Sequence, residues 1–415
     1  MACPSTDLVW STMASEARVG LTRRLQLWAI KRLRRSRFLP VGMPDKVTDE
    51  DRLGKPFAQQ VMVYFPTAKD SLYQLRPWFH ALKALDAVHP IVCVFKDSRT
   101  AKVVRKETDF DCVTLARYGQ LDEILSLSEI KLALYVNHDP VNFESLRFSS
   151  MVHVYLGHGD SDKGVSVSNQ VKAYDFCFLA GQAALDRTLS AVMSYDAEAR
   201  SVLIGQPQLD AAEKFEGEPS PDGRQTVLYA PTWEASQPSV SYGSVETHGE
   251  KIMQQLLGHY RVIYRPHPLN GVIRPSYAEV DKAVRLLAER IDTDVPLEKS
   301  FADADLLITD VSAVTLNWLP TGKPLLVTTP SVPYPPSRLM IIVPQLSAKD
   351  DIAAEVEEQL TKDPTKALRK KLITYYLGNP KPGVATKNFV EACTNAIELR
   401  DREWAEKQIT GATGP

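Results

Sequence analysis

Ten short apolar runs punctuate the chain, and their placement constrains the fold more than any other feature of the sequence. Five of them, 61-VMVYF-65, 91-IVCVF-95, 132-LALYV-136, 152-VHVYL-156 and 176-FCFLA-180, are separated by stretches long enough for crossover helices, such as Leu72–Leu85. A second five follow: 226-TVLYA-230, 261-RVIYR-265, 305-DLLIT-309, 324-PLLVT-328 and 340-MIIVP-344. Continuous apolar runs of this length read as strands buried on both faces, the signature of a parallel sheet covered by helices. Between the series lies 205-GQPQLDAAEKFEGEPSPDGRQ-225, rich in Gly, Pro and charge, which reads as a linker. The expectation is an α/β protein of two doubly wound, Rossmann-like domains facing a cleft: residues 45–205 and 226–383, a hinge at 206–225, and a last helix near Asn388–Gln408 crossing back to the first domain.

The 415 residues suffice for two such cores, and 44% hydrophobic with 24% charged residues is ordinary globular composition. No apolar run approaches the roughly 18 residues of a spanning helix, and the N-terminus lacks a secretory pattern, so a cytoplasmic protein is expected. The five cysteines are scattered without a C-x-x-C, which fits reduced thiols and offers no zinc spacing. A net charge of -2 gives no global field for nucleic acid, and none is expected as a partner. That balance hides an asymmetry. Residues 1–44 carry eight Lys/Arg and two Asp/Glu, whereas the remainder holds 41 basic and 49 acidic residues. Arg23, Arg24, Lys31, Arg32, Arg34 and Arg35 alternate with Leu21, Leu25, Trp28 and Leu33 at near-helical spacing up to Pro40. Such a basic amphipathic helix suits an anionic membrane surface, with Trp28 and the leucines inward. A solvated or domain-docked helix, or a nucleic-acid arm, fits the same pattern.

In open parallel sheets ligands sit beyond the carboxyl ends of the strands, and four such places carry chemistry. In 157-GHGDSDKG-164, His158 can take a proton and Lys163 can meet phosphate, while glycines allow close backbone approach. In 231-PTWEAS-236, Thr232 offers a hydroxyl and Trp233 an aromatic face. In 265-RPHP-268, flanking prolines fix His267 beside the cation of Arg265. In 309-TDVS-312 a strand-to-helix turn presents Thr309, Asp310 and Ser312 near free helix N–H groups. Each also has a plain structural reading, as a glycine turn, a proline-bounded loop, a packed histidine or a helix cap. The cluster Asn137, His138 and Asp139 follows a strand too, with less specificity.

The ordered set H-G-x-x-x-K (His158 to Lys163), G-x-P-x-x-D (Gly205 to Asp210), L-Y-A-P-T-W (Leu228 to Trp233), R-P-H-P (Arg265 to Pro268), L-I-T-D-x-S (Leu307 to Ser312) and G-K-P (Gly322 to Pro324) resembles the CDP-glycerol glycerophosphotransferase family, which includes teichoic acid primases and polymerases and related capsule polymerases. The resemblance spans about Val61 to Phe389. It implies a GT-B fold, peripheral attachment to the inner membrane face, and transfer of a polyol phosphate, glycerol or ribitol, from a CDP donor to a hydroxyl of a lipid-linked saccharide acceptor with release of CMP. His158 is then similar to the family's catalytic base and His267 to its second essential histidine. Arg265, Thr232, Thr309, Asp310, Ser312 and Lys323 would serve the donor, and Lys163 and Asp160 the acceptor or phosphate. No cofactor is implied, and without a carboxylate cluster near the phosphate turn metal-independent catalysis is expected. The turn departs from the family's usual Asp-Tyr-Ser-Ser, reading Asp310-Val311-Ser312-Ala313, and Asn317 stands where an acid is common, which leaves the polyol open. The compact core suits a primase better than a long-chain polymerase. A GT-B nucleotide-sugar glycosyltransferase or epimerase, and a non-enzymatic lipid- or RNA-binding module, are the competing readings.

Overall fold

The computed structural model describes residues 49, 52, 54–163, 167–210, 215–235, 241–333 and 337–409. The expected basic helix of residues 1–44, with its membrane-facing Arg23, Arg24, Trp28, Lys31, Arg32, Arg34 and Arg35, lies outside them.

Two wholly parallel sheets organise the chain. The first contains β1 (Val61–Phe65), β2 (Ile91–Phe95), β3 (Asp111–Thr114), β4 (Leu132–Tyr135), β5 (Val152–Tyr155), β6 (Phe176–Leu179) and β7 (Ser201–Leu203), in the order β3-β2-β1-β4-β5-β6-β7. The second contains β8 (Thr226–Ala230), β9 (Arg261–Tyr264), β10 (Arg290–Ile291), β11 (Leu306–Thr309), β12 (Leu325–Thr328) and β13 (Gln345–Leu346), in the order β10-β9-β8-β11-β12-β13. β1, β2, β8 and β12 are buried along their whole length, which explains why their sequences run apolar without alternation. Strand order reverses once in each sheet, between β1 and β4 and between β8 and β11. At these two points the connections diverge to opposite faces and leave a crevice.

One assignment made from the sequence is corrected. The run 340-MIIVP-344 is not a strand: Arg338–Ile342 is a short helix, capped by the Ser337 hydroxyl, which accepts from the Met340 N–H at 3.1 Å. Leu339 and Met340 are buried while Ile341 is 77% exposed, a one-sided pattern too short to reveal its period. Pro344 ends it, and pairing resumes only at β13.

The last helix, Val384–Ile409, places Phe389, Cys393 and Ile397 in the core beneath the first sheet. It brings the end of the chain back onto the N-terminal half, where the Trp78 ring packs against Phe389 with centroids 5.5 Å apart and planes tilted at 50°. No helix among the described residues is long and apolar enough to cross a membrane.

Candidate functional site

A cleft of about 710 Å³ runs between the two sheets, bounded by residues following β1, β4, β5 and β6 on one side and β8, β9 and β11 on the other. The histidine loop enters from β5. Gly157 adopts φ +69°, a left-handed conformation costly for other residues, and its carbonyl accepts from the buried Trp78 indole at 2.7 Å. The turn thus projects His158 into the cleft, where its side chain is exposed. Gly159 packs so close to the second domain that an added Cβ would stand 3.4 Å from Ala313 Cβ.

From the other wall comes His267. Its Nδ1 accepts from the Leu269 N–H at 3.1 Å, so the proton of the neutral ring sits on Nε2. The loop carrying it is held by Glu234, a residue the sequence analysis did not single out. That carboxylate, on a side chain only 1% exposed, accepts from Gly271 N and Ile273 N at 3.0 Å and Arg274 N at 3.2 Å. Trp233 stacks on His267 with centroids 6.1 Å apart and planes at 16°. Tyr73, from the short helix Lys69–Gln74 after β1, meets both imidazoles edge-on, 6.2 Å from His158 and 6.3 Å from His267. One aromatic ring therefore spaces the two histidines across the cleft.

Desolvation by the surrounding cleft walls lowers the pKa of both, although His158 is open to the cleft, and Lys163 adds to it; His267 falls to about 4, while the Val136 carbonyl opposes the shift at His158. Both rings are neutral at physiological pH, one able to accept a proton and the other to donate from Nε2. Lys163 reaches across the domain gap, donating from Nζ to Thr232 Oγ1 at 2.9 Å. Desolvation lowers its pKa to about 8, with Asp310 opposing.

His158, Asp160, Lys163, Thr232, His267 and Ser312 line the cleft. Ser312 begins the six-residue helix Ala313–Trp318, and its buried hydroxyl has no partner. The remaining expected residues engage the protein instead. Asp310, fully buried, accepts from Thr232 N at 2.7 Å, Ser244 N at 3.2 Å and Thr328 Oγ1 at 2.5 Å, which orders the β8 and β11 exits. Burial pushes its carboxyl up against these bonds. Thr309 donates to the Ala230 carbonyl at 2.7 Å. Arg265 donates to Val295 O at 2.7 Å and Ser300 Oγ at 3.0 Å, and Lys323 to the Phe301, Ala302 and Ala304 carbonyls at 2.9, 3.0 and 2.6 Å. The last is a cation closing the C-terminal end of the helix Leu297–Asp303. Asp160 pairs with Arg187, which also binds Asp162 at 2.8 Å; Asp162 accepts from Tyr376 of the C-terminal half at 2.9 Å. Asn317 accepts from Gln206 at 2.8 Å, so the amide that stands where an acid is common meets another amide. Tyr73 and Arg187 lie outside every motif, and Glu234, though inside 231-PTWEAS-236, is given no role there; only their pairing in space reveals them.

Comparison with known proteins gives a consistent result. The family model described as CDP-glycerol:poly(glycerophosphate) glycerophosphotransferase matches residues 155–358. No curated protein matches the chain. Among solved structures, the wall teichoic acid polymerase TagF superposes with a TM-score of 0.54 at 14% identity, over 92% of this chain and 98% of that one. A putative UDP-N-acetylglucosamine 2-epimerase from Listeria monocytogenes gives 0.57 at 14% over 82% and 98%. A glycosyltransferase from Rickettsia africae gives 0.53 at 10% over 83% and 99%. These likenesses establish the GT-B fold. Its cleft carries the histidine, lysine and threonine of the matched segment, and that segment is similar to the CDP-glycerol:poly(glycerophosphate) glycerophosphotransferase family of transferases.

Proposed function

We propose that the cleft transfers a polyol phosphate from a CDP-activated donor to a hydroxyl of a lipid-linked saccharide acceptor, releasing CMP. One observation carries the reading. Two neutral histidines from opposite domains converge on one cleft, spaced by Tyr73, beside a lysine bridging to Thr232.

His158 accepts the proton of the acceptor hydroxyl as its oxygen bonds to the β-phosphorus, and the bond from that phosphorus to the CMP oxygen breaks with its electron pair going to CMP. His267 donates from Nε2 to the phosphoryl or leaving oxygen, and Lys163 offsets the phosphate charge. Because these donors are held by Leu269, Glu234 and Thr232 before substrate arrives, little reorganisation is needed in the transition state. Thr232 and Ser312 would meet the donor. The basic segment Arg18–Arg37 would hold the enzyme against anionic lipid on the inner membrane face, where the acceptor resides.

The test is incubation with CDP-glycerol or CDP-ribitol and a lipid-linked saccharide, with nucleotide products separated. CMP supports the reading. A nucleoside diphosphate from a nucleotide sugar, without CMP from either CDP donor, would replace it with glycosyl transfer.

A further inference from the structure

A side chain stands where the reacting groups must meet. To lose its proton, an acceptor oxygen has to lie about 3 Å from a nitrogen of His158, and the phosphoryl group it attacks has to come within hydrogen-bond reach of His267 Nε2. Tyr73 occupies the space between the two histidines. Its ring is nearly perpendicular to both imidazoles, at 88° to His158 and 81° to His267, with centroids 6.2 and 6.3 Å away. This rest position is specified, yet lightly held. The hydroxyl accepts from Gln74 Nε2 at 3.2 Å, and Gln74 Oε1 accepts from Asn137 Nδ2 at 2.8 Å. Asn137 is buried, and its carbonyl accepts from Asn142 Nδ2 at 2.7 Å. Leu72, in the core of the first domain, anchors the backbone next to the ring. Tyr73 itself is 37% exposed and turns away at the cost of that surface hydrogen bond, a motion exposed side chains make within nanoseconds.

We infer that Tyr73 is a selectivity gate against water, standing between His158 and the donor phosphate until an acceptor hydroxyl displaces it. The need is chemical, because an activated phosphate beside a general base is open to water as well as to an alcohol. In that side reaction the water oxygen bonds to the β-phosphorus and its proton passes to His158. The bond from phosphorus to the CMP oxygen breaks with its electron pair going to CMP, and free polyol phosphate is wasted. A ring covering the gap keeps water from the line of attack. An acceptor, unlike water, brings contact area that can hold the ring aside, so base and phosphorus meet only when an alcohol is in place, which is specificity by induced fit. This inference rests on the transfer reading above.

The experiment incubates the full-length protein with CDP-glycerol or CDP-ribitol, with and without a lipid-linked saccharide, and measures free and acceptor-linked polyol phosphate separately. Wild type should form little free polyol phosphate. Tyr73→Ala should raise the ratio of hydrolysis to transfer by roughly 10- to 100-fold, the discrimination that one pocket contact commands. Tyr73→Phe, which keeps the ring, should stay close to the wild-type ratio. Loss of packing alone would slow both reactions together and leave the ratio where it was. An unchanged ratio in Tyr73→Ala that is folded by circular dichroism overturns the inference, as does a ratio raised equally in Tyr73→Phe. Absence of CMP from wild type with both donors, acceptor present or not, removes the transfer reading, and the inference with it.

Discussion

Lys163 should make donor binding take up a proton. Its ammonium hangs from the histidine loop, 2.9 Å from Thr232 Oγ1 and 6.0 Å from the centre of the Tyr242 ring. Desolvation brings its pKa to about 8, against the opposing charge of Asp310. An anion placed beside it favours the charged form and returns the pKa toward the ordinary lysine range. A diphosphate diester itself has no proton to lose near neutrality, so any uptake comes from the protein. With half the lysines neutral at pH 8, binding should draw about 0.5 proton per donor there, about 0.9 at pH 9 and about 0.1 at pH 7. His158 and His267, whose pKa values are lowered, remain neutral over this range and add nothing. Calorimetric titration with CDP-glycerol in two buffers of different ionisation enthalpy reads the uptake directly. Lys163→Arg should abolish it, because guanidinium does not titrate below about pH 12. Lys163→Met should abolish it and weaken donor binding by roughly 10- to 100-fold through loss of charge-assisted bonds. The unfolded chain keeps its proton up to the ordinary value of 10.5, so the free enzyme should gain stability as pH rises from about 8 to that value, and bound donor should flatten the gain. Buffer-independent enthalpies at pH 8, or uptake persisting in Lys163→Arg, would refute the assignment.

Glu234→Ala leaves three N–H groups of the His267 loop without an acceptor; a loss of about 3 kcal/mol in urea unfolding and a fall in kcat are expected, and an unchanged midpoint would deny Glu234 its holding role. Gly181→Ala should destabilise by about 1–3 kcal/mol, since the new Cβ would stand 2.6 Å from Tyr375 O and 2.7 Å from Tyr376 O; a wild-type melting temperature would show that this junction yields freely. Deletion of residues 1–44 should spare turnover of a soluble acceptor analogue while abolishing salt-sensitive binding to anionic liposomes, and equal liposome binding by the truncated chain would assign that segment another purpose.

The apolar runs exposed the parallel strands because burial on both faces leaves no alternation to blur them. β1, β2 and β8 coincide with their runs to the residue. The shorter β3, 111-DCVT-114, and β7, 201-SVL-203, at the edges of the first sheet, are too mixed in character to stand out. The motifs located the cleft because strand ends at the two reversals carry the loops. They did not reveal which polar side chains face it. Arg265 and Lys323 share motif status with His158 and Thr232 but are consumed by carbonyls of neighbouring segments. Tyr73 and Glu234 become visible only through distances between elements far apart in the chain, which no local pattern encodes.

The central claim, that His158 is the base for attack on a CDP-activated phosphate, is tested most directly by CMP release from the His158→Ala enzyme with CDP-glycerol or CDP-ribitol and a lipid-linked saccharide. The account predicts a fall in kcat of roughly 10²–10⁴-fold, with donor affinity and melting temperature close to wild type, because the side chain is exposed to the cleft and contributes little packing. CMP release at a near-wild-type rate by the folded variant would contradict it.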